Sequence, residues 1–96
     1  MYANFLLGTL KITESAQTSL MRIPYDLIAR HALNEHGQLT KREQRRNEIA
    51  MKTIGKMMSR YRIDPTDASK GNVLVTTDEL WGATTVHMEN EDHQLA

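Results

Sequence analysis

Residues 40–62, TKREQRRNEIAMKTIGKMMSRYR, open on a helix start signal and carry the densest positive charge in the chain. In Thr40-Lys41-Arg42-Glu43 the Thr40 hydroxyl can accept from the third backbone N–H, and Glu43 can reach back to the first, a capping box. Downstream, Ile49, Ala50, Met51, Ile54, Met57, Met58 and Tyr61 recur at helical spacing until Ile63-Asp64-Pro65 ends the run. The spacing predicts one helix of about 21 residues over 40–62, with Lys56, Arg60 and Arg62 complementing its dipole in the last turns. Its first two turns, Lys41 to Glu48, contain no apolar residue, so they cannot be core. Lys41, Arg42, Arg45 and Arg46 are therefore expected at the surface.

Working outward, a preceding helix is expected over 23–37, with Pro24 in its first turn and Gly37 just past its end. Leu20, Ile23, Leu27 and Ile28, continued by His31, Ala32 and Glu35, mark its inner stripe. His36-Gly37-Gln38-Leu39 would join the two helices into a hairpin. Beyond Pro65, residues 67–72 read as a loop turning at Lys70-Gly71-Asn72. Val73 to Thr77 and Thr84 to Met88 are rich in β-formers and predict a hairpin around 78–83, although Thr77 to Trp81 could form a helical turn. Tyr2 to Thr13 fits either period, and a strand over Phe5 to Ile12 is preferred because a lone hairpin is barely stable. The expected fold is α+β: a two-helix hairpin (about 23–37 and 40–62) packed on a small antiparallel sheet of two or three strands. One domain is expected over 1–88, followed by a disordered acidic tail over 89–96.

A length of 96 residues excludes a multidomain enzyme, and the lack of Cys excludes disulfides, thiolate catalysis and Cys-based metal sites. No apolar run approaches a membrane span and no basic segment precedes Phe5-Leu6-Leu7, so a cytoplasmic protein is expected. The net charge of zero hides an asymmetry. Residues 38–62 hold eight cations against Glu43 and Glu48, a net charge of +6, whereas residues 63–96 hold Lys70 against seven carboxylates, a net charge of −6.

Such asymmetry suits a polyanion or an acidic partner on the basic helix, with the acidic remainder screening it. The leading expectation is a small non-catalytic regulatory protein, of the kind found among bacterial or phage accessory proteins, that binds DNA or RNA mainly through the backbone. Its candidate contacts are Lys41, Arg42, Arg45, Arg46, Lys52 and Lys56. The alternative is an interaction or inhibitor module whose same residues meet an acidic protein partner. A DNA-binding helix-turn-helix fits less well, because Glu43 stands where that motif needs an apolar residue. Aromatic platforms for bases are scarce, with only Tyr61 and Trp81 near the basic helix or the hairpin. His31 and His36 are five residues apart and would not share a helix face, which argues against a metal site; no cofactor is expected. A small ribonuclease using Arg60, Tyr61, Arg62 and His87 is a minor reading. The stripe of Met51, Ile54, Met57 and Met58 reads as core, and pairing of such stripes would also suit a homodimer.

Overall fold

The computed structural model describes residues 7–53 and 55–90. Strand β1 (Thr9–Ile12) is followed by helices α1 (Glu14–Leu20), α2 (Tyr25–Ala32) and α3 (Lys41–Lys52), then strands β2 (Lys56–Arg62), β3 (Asn72–Asp78) and β4 (Ala83–Met88). A short 3₁₀ turn, Ala68–Lys70, lies between β2 and β3. The fold is α+β, with four strands in the order β1-β4-β3-β2; β1 runs parallel to β4 and the other pairs are antiparallel.

The long helix expected over 40–62 is two elements. Its start is as predicted, since Thr40 accepts from Glu43 N–H and Glu43 accepts from Thr40 N–H. Its end comes at Thr53, whose backbone is extended, and beyond Gly55 the chain continues as β2. Met57, Met58 and Tyr61 fit a helical stripe, but Met57, Ser59 and Tyr61 are the residues buried, at a period of two. Ser59, a polar residue at a core position, hides that alternation. Ile54, expected in the core, lies outside the described residues.

The helix expected over 23–37 is confined to Tyr25–Ala32. Asn34 at φ +64° ends the helix, while Gly37, expected to turn left-handed at a helix end, does so at φ +72° where the chain bridges to β2. The two helices pack on the sheet rather than forming a simple hairpin. Helix α1 was not foreseen, because Ala16 is its only buried residue; Thr13 caps it by accepting from Ala16 N–H. The hairpin of β3 and β4 matches its expected position. β1 lies within the predicted strand, whose Phe5 and Leu6 are outside the described residues, and its parallel pairing makes the sheet mixed instead of antiparallel. Of the tail expected over 89–96, residues 91–96 lie outside the described residues; Glu89 N–H donates to Asn72 O and its carboxylate meets Arg60 and Asn72.

One face of the sheet carries the core. Ala16, Leu27 and Ile28 from the helices cover Tyr61, Val73, Val75, Val86 and Met88. Ala50 of α3 packs separately on Met57. Strand alternation places Lys56, Met58, Thr76, Asp78, Thr85, His87 and Lys11 on the opposite face.

Among the described residues the outer edge of β2 is closed by a loop and a side chain, not by a further strand. Arg60 N–H donates to His36 O and Gln38 N–H donates to Arg60 O. One step along, the Asn47 amide accepts from Met58 N–H at 2.9 Å and donates to Met58 O at 2.7 Å, so a side chain imitates a neighbouring strand.

Candidate nucleic-acid interface

Lys41, Arg42, Arg45, Arg46 and Lys52 are all exposed on α3, and none joins an ion pair among the described residues. They do not form one patch. Arg42 and Arg46 are one turn apart on one side, whereas Lys41, Arg45 and Lys52 lie on the face turned away from buried Asn47 and Ala50. Lys56 belongs to β2, where Asp78 on the paired strand lies 3.9 Å from its ammonium group.

Arg46 and Lys56 border a cleft of about 760 Å³ between α3 and the sheet face opposite the core. Lys11 of β1 and Trp81 of the β3–β4 turn also line it, and Met58, Thr76 and Thr85 contribute to its floor. Trp81 is 74 % exposed. Its backbone is fixed by Asp78, whose carboxylate accepts from the N–H groups of Leu80 and Trp81 in an Asx turn. Tyr61, the other aromatic considered from the sequence, is buried and donates its hydroxyl hydrogen to Glu35 O.

Two carboxylates line the same cleft, and both are engaged. Asp78 faces Lys56; Glu43 forms a two-pronged ion pair with Arg60, at 2.7 and 2.8 Å. The Arg60 guanidinium holds the Glu43 carboxyl down at about 2, and the Thr40 backbone N–H assists. Arg60 also meets the Glu89 carboxylate and Gln38 O. Arg60 is therefore a clamp between α3, β2 and the chain after β4, and its charge is already balanced.

The residues of the minor ribonuclease reading are not brought together. Tyr61 is in the core, Arg60 is enclosed by carboxylates, and His87 is buried on the opposite sheet face. His31 and His36, in contrast, do meet, because the turn at Asn34 brings both to Ser59. Among the described residues no three His, Cys, Asp or Glu side chains gather to hold a metal, and no helix is long and apolar enough to cross a membrane.

The exposure of the α3 cations was legible from the absence of apolar residues beside them. Lys11 and Trp81 were not singled out as binding residues, since each is distant in sequence from α3. Their signal is the register that sets β1 beside β4 and the turn before it. Set against models of known families, curated proteins and solved structures, the chain matches none.

Proposed function

We propose that the protein binds single-stranded nucleic acid in the cleft between α3 and the sheet, with phosphates on Lys11, Arg42, Arg46 and Lys56 and a base stacked on Trp81. The observation that carries this reading is the convergence of three cations and a 74 % exposed indole on one cleft. Exposed aromatic faces hold bases by stacking worth about 1–3 kcal/mol each, and guanidinium groups match phosphate oxygens in pairs. A single strand is favoured over a duplex because its bases can leave the stack to reach the indole. The engaged carboxylates, Glu43 and Asp78, oppose this binding less than unpaired ones would, since each has a cation beside it. The exposed Leu80 beside Trp81 gives an apolar tip that would also suit an acidic protein partner.

Trp81 is the only tryptophan in the chain, so its emission reports the cleft directly. Titration with a ten-nucleotide oligothymidylate should quench it, and the log–log salt slope for four phosphate contacts should be about −3, at roughly −0.7 per contact. Replacing Arg42 and Arg46 with Gln should halve that slope. Unchanged emission and no binding at about 20 mM salt, with single strands and duplexes alike, would refute the proposal and favour the protein partner.

A further inference from the structure

A file of hydrogen-bonded side chains runs through the core. His36 Nδ1 lies 2.5 Å from Ser59 Oγ, which lies 2.6 Å from His31 Nδ1. His31 Nε2 is 2.8 Å from Thr77 Oγ1, Thr77 Oγ1 is 2.7 Å from Thr84 Oγ1, and Thr84 donates to Leu7 O at 2.6 Å. Its direction follows from its last member, because a carbonyl can only accept. Thr84 has one hydrogen and gives it to Leu7 O, so it accepts from Thr77. Thr77 in turn accepts from His31, which must carry its proton on Nε2. The bare Nδ1 of neutral His31 accepts from Ser59, and Ser59 accepts from His36 Nδ1–H. The Ser59 hydroxyl could instead turn toward Tyr61, but two lone pairs would then oppose each other at the 2.6 Å contact with His31.

Neutral His36 is thus left with a proton on Nδ1 and a lone pair on Nε2. Burial lowers the pKa of His36, which keeps it neutral at pH 7. It lines a second cleft, of about 330 Å³, beside α3. Glu48 lines this cleft too, with no ion pair among the described residues. Gln44 donates to Leu39 O, and its amide oxygen has no partner there. Asn47 is occupied at both ends by Met58, and among the described residues no Lys or Arg borders the space. Met51 and Met57 supply polarisable apolar wall.

We infer that this cleft is a binding site for a primary ammonium group, held by His36 Nε2 and the Glu48 carboxylate, and that the file of hydroxyls starting at Leu7 O sets the His36 tautomer that accepts it. A cation satisfies the negative charge of Glu48, the one acidic residue of the lining among the described residues. N–H donors are required because His36 offers an acceptor alone. Alkyl carbon next to the ammonium meets the methionines.

The test is ¹⁵N NMR of the imidazole rings in the wild-type protein at pH 7, titrated with n-butylammonium chloride. His36 should be the Nδ1–H tautomer and His31 the Nε2–H tautomer. Butylammonium should shift His36 Nε2 saturably, while tetramethylammonium, with the same charge and no N–H, should not. Thr84→Val removes the hydroxyl that orients the file, so His36 should populate both tautomers and bind butylammonium about twofold more weakly, as expected when half of the molecules are competent. A proton on Nε2 of His36 in the wild type would overturn the inference, as would equal shifts with both cations or an unchanged tautomer in a folded Thr84→Val. Should that variant not fold, the wild-type tautomer and the pair of cations decide the matter.

Discussion

At Gly37 the backbone holds φ +72°, and a Cβ placed there would lie 2.2 Å from Arg60 O and 2.8 Å from the Tyr61 ring. Both constraints exclude a side chain: the left-handed conformation is strained for any L-residue, and the obstructing oxygen is backbone of the paired strand. Gly37→Ala should destabilise the protein by about 2 kcal/mol, measured by denaturant unfolding, from strain and the loss of close pairing. The sequence marks this glycine as one needing positive φ, yet for another reason, the end of a helix that stops five residues earlier. His31 is the second residue whose chemistry is visible only in three dimensions. Burial, with His36 nearby, lowers its pKa to about 3. The unfolded chain takes up a proton near pH 6.5 that the folded chain refuses until about pH 3, so stability falls as pH drops through this window. Between pH 7 and 5 the loss should be about 2 kcal/mol, and His36 acts in the same direction. The stability that Glu43 contributes is present above pH 4.5 and is lost as pH falls from there towards 2, so the range from 7 to 5 isolates the histidines. An unfolding midpoint that stays constant from pH 7 to 5 would contradict the assignment.

Among the elements, α3 and β2 show how far local pattern reaches. The capping box places the start of α3 correctly, because a cap is a relation among four adjacent residues. The end was not legible. Helical and strand periods share Met57 and Tyr61, and the position that would separate them, Ser59, is polar for the sake of two histidines from another element. Asn47 was hidden for a like reason, since its amide serves the Met58 peptide group eleven residues away. Asn47→Ala would remove a 5 % exposed side chain and leave the half-buried Met58 N–H and C=O to water, and should cost about 1–3 kcal/mol. Asn47→Asp should be costly too, because it keeps an acceptor for Met58 N–H and sets a carboxylate against Met58 O. Thermal unfolding of the two variants checks both statements, and a melting temperature within one degree of wild type for Asn47→Ala would show that the edge closes without it.

For the whole molecule, the opposition between a basic middle and an acidic remainder was plain in the sequence, and the structure shows how little of it is neutralised by contact. Arg60 is balanced by Glu43 and Glu89, and Lys56 and Lys70 each have one carboxylate nearby. Among the described residues the cations of α3 take no part. A pattern of charge along the chain tells which residues are solvated, but the cleft is assembled from β1, α3, β2, β3, β4 and a turn, and only the sheet order brings Lys11 and Trp81 to it. The candidate site was thus half legible: its helix could be read, its opposite wall could not.

The parallel pairing of β1 with β4 also has a temporal side. Thr9 meets Ala83 across most of the chain, whereas β2, β3 and β4 are joined by short connections. During synthesis β1 and α1 leave the ribosome ahead of the meander and have no strand to join until β4 has emerged, so the three-stranded meander can order itself while they wait. Closing so long a loop carries an entropic penalty that the meander avoids. Stopped-flow measurements on Ile12→Val should therefore find folding slowed little and unfolding accelerated, the mark of a residue that docks after the rate-limiting step. A variant that instead folded markedly slower would place β1, made before its partner strand, in the nucleus.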